Sequence, residues 1–242
     1  MRDDAAQSPK RNRLLTALPP EERDQLLVHC RPVTLANEQL LLAPREPVRY
    51  AYFPTDGVLS LLMIMADGTP VEVATVGTEG FVSVESILGT DQSPYEVICQ
   101  TPAEALRLDV GDLRMAFTQY EALRNLLLRY AAVVFDCTGR SLACKVTHNV
   151  EQRLARWLLM TRDRMRGDRL PLTQETLARM LGVHRPTIST AAEALRERGV
   201  ITYHRGKIEI TDRRGLEAAS CEHYAEIRAV YDELLGPSPV MT

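Results

Sequence analysis

Two positions four residues apart, Ala178 and Gly182, constrain this chain more than any other feature. Around them, residues 174–181 predict a short helix with Thr173 as its N-cap. Gly182-Val183-His184 then makes a turn, and residues 185–198 predict a second helix ended by Gly199. Two helices crossing steeply through so short a turn need a small residue where their backbones touch and one tolerant of positive φ in the turn. Ala178 and Gly182 fill those places, while Leu177, Leu181, Val183, Ile188 and Leu195 are spaced to pin the pair to a core. The agreement favours a helix-turn-helix over an ordinary helical hairpin. Beyond Gly199, residues 200–203 and 207–210 alternate around His204-Arg205-Gly206, which predicts a hairpin wing. Asp212 is the candidate cap of a last helix running to about Leu235.

The charge distribution says what such a module would meet. The chain carries a net charge of −3, yet residues 148–215 hold 14 Lys and Arg against 8 Asp and Glu. Residues 1–147 hold 14 against 19. A basic module beside an acidic region suggests a polyanion as partner. Double-stranded DNA fits, because the second helix of such a pair enters the major groove with its N-terminal residues toward base edges. Arg185 is then the expected base reader, its fork matching guanine O6 and N7. Thr187 is a candidate helix cap and phosphate contact, and Ser189 and Thr190 are hydroxyl donors along the same face. Thr173 and Gln174 sit where the first helix's dipole favours phosphate. Arg205 and Lys207 on the wing are expected to meet phosphate, the alternative being solvated surface charge. His184 reads as a turn or capping residue.

The rest of the chain has a different texture. Short β-prone runs at 50–53, 58–65, 71–76, 95–99 and 105–108 are separated by Gly and Asp turn signals, with Asp67-Gly68 the strongest hairpin turn. This predicts an antiparallel roll or barrel. Residues 113–146 then predict a short helix and a long one, on which Leu123, Leu127, Tyr130, Val134, Cys137, Ser141 and Cys144 recur in steps of four and three. That seam is assigned to a homodimer interface, the small residues at its distal end allowing close backbone approach; the alternative is packing on the chain's own roll. Gly139 weakens the helix by roughly 1 kcal/mol, which pairing must offset. Thr147-His148-Asn149 breaks the pattern, Asn149 caps a helix to about Arg166, and Gly167-Asp168 closes it. The expected fold is α+β: a roll over 1–118, a long dimerisation helix over 119–147, and a winged helix-turn-helix with a C-terminal helix over 148–242.

Other functions find little support. No apolar run approaches the roughly 20 residues that cross a bilayer, and residues 1–13 lack the apolar core of a secretory signal. Five dispersed cysteines, without a CxxC pair, read as reduced thiols of a cytoplasmic protein. No metal and no other cofactor is expected, since no histidine lies between His29 and His148 to supply ligands from the roll. With no nucleophile–base pair identifiable, no enzyme is expected. Cys137 and Cys144 read as small seam residues, with an oxidation sensor across the dimer as the alternative.

The order of parts, with the stretches Val150-Glu151-Gln152-Arg153-Leu154-Ala155-Arg156-Trp157-Leu158 and Gly182-Val183-His184-Arg185-Pro186-Thr187-Ile188-Ser189, resembles the Crp/Fnr family of bacterial regulators. The resemblance covers nearly the whole chain. It implies a cyclic-nucleotide-binding-like jelly roll, dimerisation through the long helix, palindromic DNA sites and regulation of RNA polymerase. Two departures stand out. Cyclic-AMP-responsive members carry an acidic residue after the first Arg of the recognition helix, where this chain has Pro186, a residue suited to a first helical turn. Nucleotide-binding members also hold phosphate with an Arg and a Gly-Glu cassette. The corresponding region here, Gly80-Phe81-Val82-Ser83-Val84-Glu85 and Gln92-Ser93-Pro94-Tyr95, lies in a span from Ala51 to Ala105 with eight acidic residues and no Lys or Arg. Phosphate buried there would go unpaired unless Arg49 or Arg107 reaches inward from outside that span, and cyclic AMP is not expected to bind in the family manner. A different small molecule in the roll, near Met63, Met65, Phe81 and Ile87, is the alternative source of control.

Overall fold

The computed structural model describes residues 12–165, 169–204 and 206–237. After α1 (Arg13–Thr16) and α2 (Pro20–His29), the alternating segments form β1 (Arg31–Leu35), β2 (Leu40–Leu42), β3 (Tyr50–Asp56), β4 (Leu59–Ile64), β5 (Pro70–Val76), β6 (Glu96–Cys99) and β7 (Ala103–Asp109). They pair antiparallel in two sheets, ordered β1-β7-β3 and β2-β6-β4-β5. The predicted Asp67-Gly68 turn closes the β4–β5 hairpin: Gly68 has φ +85°, and Asp67 accepts the Thr69 N–H at 2.9 Å. β1 and β2 were not expected from the sequence; β2 is short and leaves Leu40 exposed, so neither strand signals itself by a buried run.

The helices that follow are α3 (Val110–Gln119), α4 (Glu121–Thr147) and α5 (Val150–Arg162). Asn149 caps α5 as predicted, in a reciprocal capping box with Gln152. The C-terminal part contains β8 (Arg169–Leu170), α6 (Gln174–Leu181), α7 (Arg185–Glu197), β9 (Ile201–His204), β10 (Lys207–Ile210), α8 (Arg213–Ala219) and α9 (His223–Leu235). The wing is a three-stranded sheet, β8-β10-β9, rather than a lone hairpin. Asp212 does cap a helix, through the Gly215 N–H at 3.0 Å, but that helix stops at Ala219 and a second begins at His223. Gly167, Asp168 and Arg205 lie outside the described residues.

The seam expected to pair two chains faces the protomer's own core. Leu123, Leu127, Tyr130 and Cys144 are at most 1% exposed, and Val134 and Cys137 pack half-buried against the cluster formed by the roll, α3 and α9. Ser141 is half-buried beside them. Tyr130 shows why this face turns inward: its hydroxyl accepts the Phe81 N–H at 3.2 Å and donates to the Phe81 carbonyl at 3.1 Å. Its ring occupies the space where a Cβ on Gly80 would stand, so Gly80 is required for this close approach. A different stripe on α4 is left uncovered. Leu128, Phe135, Leu142 and Val146 are 44%, 84%, 66% and 81% exposed, with Ala132 and Gly139 exposed between them. The correction has a physical reason: the helix carries two apolar stripes of the same period, and only the roll's Gly80-Phe81 loop and α9 decide which is covered.

Burial raises the Cys137 thiol to about 11, with Asp136 adding to the shift. Cys144 lies 3.5 Å from Cys221 of the same chain, sulfur to sulfur.

The C-terminal module rests on the roll. The second core cluster joins Leu154, Trp157, Leu158, Leu177, Ile188 and Leu195 to Leu62 and Ile98 of the roll. Trp157 Nε1 donates to the buried Glu72 carboxylate at 2.9 Å, which Ser60 Oγ also approaches at 2.8 Å. Burial raises the Glu72 pKa against the pull of these hydrogen bonds. Arg164 enters the roll and pairs with Glu79 at 2.6 Å, both side chains nearly inaccessible.

Candidate nucleic-acid interface

The interface begins with the α6 N-terminus. Thr173 accepts the Thr176 N–H at 3.1 Å as the helix cap and remains exposed. Ala178 is buried at 5% exposure, and Gly182 ends α6 with φ +65°, a conformation in which a side chain is strained. Both special positions therefore act as the sequence predicts. Arg153 of α5 donates to the Leu181 carbonyl at the end of α6, satisfying an otherwise orphaned acceptor.

This turn launches α7 with His184 as N-cap, Arg185 first and Pro186 second. Ile188, Ala191, Ala192 and Leu195 are buried, leaving His184, Arg185, Pro186, Thr187, Thr190 and Glu193 on the exposed side. Arg185 has no acidic partner among the described residues. The cap carries no side-chain hydrogen bond, so the first turn of α7 presents its positive end to solvent. Thr187 is not a cap; it stands in the third helical position, its N–H bonded to the His184 carbonyl at 3.0 Å.

The remaining expected contacts separate into two groups. Ser189 Oγ lies 2.8 Å from Gln174 Oε1, so these two side chains lock α7 to α6. Thr190 Oγ1 donates back to the Pro186 carbonyl at 3.2 Å while remaining exposed. Lys207 is exposed at the start of β10, opposite His204. At the far end of α7, Arg196 pairs with Glu193 and Arg198 with Glu151. The first helix is held to the roll by Arg179 and Glu38 at 2.9 Å, a contact between distant segments that no local pattern announces.

The roll's cassette contrasts with this face. A 3-10 helix at Val84–Ile87 follows Ser83, which has φ +83°. Glu85 accepts a hydrogen bond from Ser93 Oγ at 2.7 Å, closing the cassette with a neutral partner. A cavity of about 510 Å³ beside it is lined by Leu42, Glu46, Arg49, Tyr50, Tyr52 and Ser83 among others. Arg49 therefore does reach the roll's cavity, whereas Arg107 stacks on Tyr50 at 4.4 Å and lines a separate recess. Phe81 is fully buried against Phe53 and Tyr130, so it serves as core. Met63 and Met65 do not line that cavity.

Comparison with known proteins agrees with this arrangement. Residues 32–120 match the cyclic nucleotide-binding domain, and residues 152–219 match the Crp-like helix-turn-helix domain. The global nitrogen regulator of Nostoc sp. strain PCC 7120 is 24% identical over 187 residues, covering 73% of this chain and 83% of that protein. Among solved structures, FixK2 from Bradyrhizobium japonicum aligns with a TM-score of 0.66 at 14% identity, covering 79% of this chain and 98% of that one. The c-di-GMP-responsive global regulator CLP of Xanthomonas campestris aligns with a TM-score of 0.63 at 17% identity, covering 79% and 99%. A nucleotide-binding-type roll joined to a Crp-like helix-turn-helix defines the class: a DNA-binding transcriptional regulator. The chain carries, in this order, the two domains that Crp/Fnr-type regulators combine. Among the described residues, no helix is long and apolar enough to cross a membrane.

Proposed function

We propose that this regulator acts as a cytoplasmic homodimer on palindromic duplex sites, without the family's cyclic-AMP switch, and controls transcription by RNA polymerase. The observation that carries the reading is the N-terminal turn of α7, where Arg185 is exposed, without an acidic partner among the described residues, on a helix whose opposite face is buried. Arg185 reads guanine, Thr187, Thr190 and Lys207 hold the backbone, and Pro186 preorganises the first turn. Arg205 is assigned to the same wing contacts on sequence grounds.

The dimer forms through Leu128, Ala132, Phe135, Gly139, Leu142 and Val146, which recur on α4 in steps of four, three, four, three and four. Selection of bound sequences from a random duplex pool tests the whole reading. An inverted repeat containing a guanine in each half-site is expected. A pool that emerges without enrichment, or with a single unrepeated half-site, rejects it.

A second reading gives the roll's cavity to a small molecule, favoured by its volume and by Arg49 on its wall. Thermal-shift screening distinguishes the two, because a ligand at 100 times its Kd stabilises by about 2.7 kcal/mol.

A further inference from the structure

The residues that join α4 to α9 take no part in the DNA-facing surface, yet four of them converge. Cys144 and His148 stand one helical turn apart, in the last turn of α4 and at its cap. Cys221 and His223 flank Glu222, the residue that caps α9, with His223 the first residue of that helix. One ligand atom from each of the four lies within 4.8 Å of every other. The two sulfurs are 3.5 Å apart, and the two imidazole rings meet edge to face at 5.1 Å.

These distances suit a small ion with four ligands. Zn–S bonds of about 2.3 Å and Zn–N bonds of about 2.0–2.1 Å, arranged tetrahedrally, place neighbouring ligand atoms about 3.3–3.8 Å apart. The observed cluster reaches that spacing with rotamer-scale adjustment. Two sulfurs and two imidazole nitrogens are also a donor set that zinc takes in structural sites.

The surroundings point the same way. Cys144 and Cys221 are 0% and 3% exposed, so neither thiol serves as a solvated surface group. His223 Nδ1 is buried with no hydrogen-bond partner among the described residues, a costly state for a ring nitrogen that nothing coordinates. The Glu222 carboxylate lies 3.1 Å from His148 Nε2, which leaves Nδ1, 3.2 Å from Thr147 Oγ1, as the nitrogen that gives up that contact for the ion. A carboxylate on a ligand histidine is the usual outer partner that fixes ring orientation and basicity. Arg156 Nε is buried without a partner among the described residues as well.

We propose that Cys144, His148, Cys221 and His223 bind one zinc ion per chain in a tetrahedral site. The site spans the junction at which α4 gives way to α5, so the ion fastens the start of α9 to the end of the long helix and limits how far the C-terminal module can turn. It stands whether or not α7 reads DNA.

Cobalt titration of the intact chain tests the site directly. The chain is reduced and stripped of metal with EDTA under nitrogen, then titrated with Co²⁺ and back-titrated with Zn²⁺. Expected are thiolate charge-transfer bands with intense tetrahedral d–d bands, saturating at one ion per chain and bleached by Zn²⁺. Zn²⁺ is also expected to raise the thermal midpoint of the stripped chain by several degrees. Cys221→Ser and His148→Ala each lower Co²⁺ affinity at least tenfold, whereas Cys30→Ser leaves it unchanged. A weak octahedral spectrum, or the same bands and stoichiometry in folded Cys221→Ser, overturns the assignment. The wild-type spectrum decides the question even where a variant fails to fold, and no DNA enters the measurement.

Discussion

The long helix α4 and the recognition helix α7 solve the same packing problem with different amounts of information. α7 has one apolar face, Ile188, Ala191, Ala192 and Leu195, and the face opposite carries Arg185, Thr187 and Thr190. Only one orientation buries carbon and leaves the cation in water. α4 is apolar on two sides, Leu123, Leu127 and Tyr130 on one and Leu128, Phe135 and Leu142 on the other. Either orientation would bury a heptad stripe, so the outcome depends on what the neighbours offer. The difference teaches that a hydrophobic period orients a helix only when the remaining positions are polar enough to oppose it.

The sharpest way to break this comparison is to truncate the inner stripe of α4. Leu127→Ala removes a fully buried side chain and should cost about 2–5 kcal/mol of folding stability in urea denaturation. A loss below 1 kcal/mol with dissociation of the proposed dimer instead would restore the inner stripe as the interface.

Phe135→Glu attacks the outer stripe. Because Phe135 is 84% exposed in the protomer, the fold should survive. The dimer should weaken by at least about 2 kcal/mol, the scale of a central aromatic anchor. Sedimentation velocity across a concentration series reads this, and an unshifted dimer would falsify the outer assignment.

For α7, Arg185→Ala should weaken specific DNA binding by about 1–3 kcal/mol and leave most non-specific affinity intact. Equal losses on selected and random duplex, compared by fluorescence anisotropy, would reduce Arg185 to a backbone contact. The smallest effect is expected from Lys207→Ala. It should lower affinity for all sequences alike and reduce the slope of log K against log salt by about 1. An unchanged slope would make Lys207 a solvated charge.

Local chemistry made much of the molecule legible. Asp67-Gly68 turned a hairpin, Asn149 capped α5, and Thr173, Ala178 and Gly182 built the helix-turn-helix. Each of these works within a few residues, through a backbone angle, a cap or a small side chain, so composition and spacing suffice to read it. The hydroxyl-bearing positions were less transparent. Ser189 is directed to Gln174 and Thr173 to its own helix start, because a short polar side chain takes the nearest partner and sequence does not reveal which is nearest.

What the sequence alone determined, then, is the kind of module at each end and the turn that places Arg185 first on the second helix. Tertiary structure alone decided which stripe of α4 faces inward, that Arg164 and Trp157 reach into the roll to meet Glu79 and Glu72, and that Cys144 and His148 find Cys221 and His223. The paired residues of that last group lie some 75 positions apart along the chain. Caps and turns are made by neighbours in sequence; buried partners and ligand sets are made by whatever the packed core brings within reach.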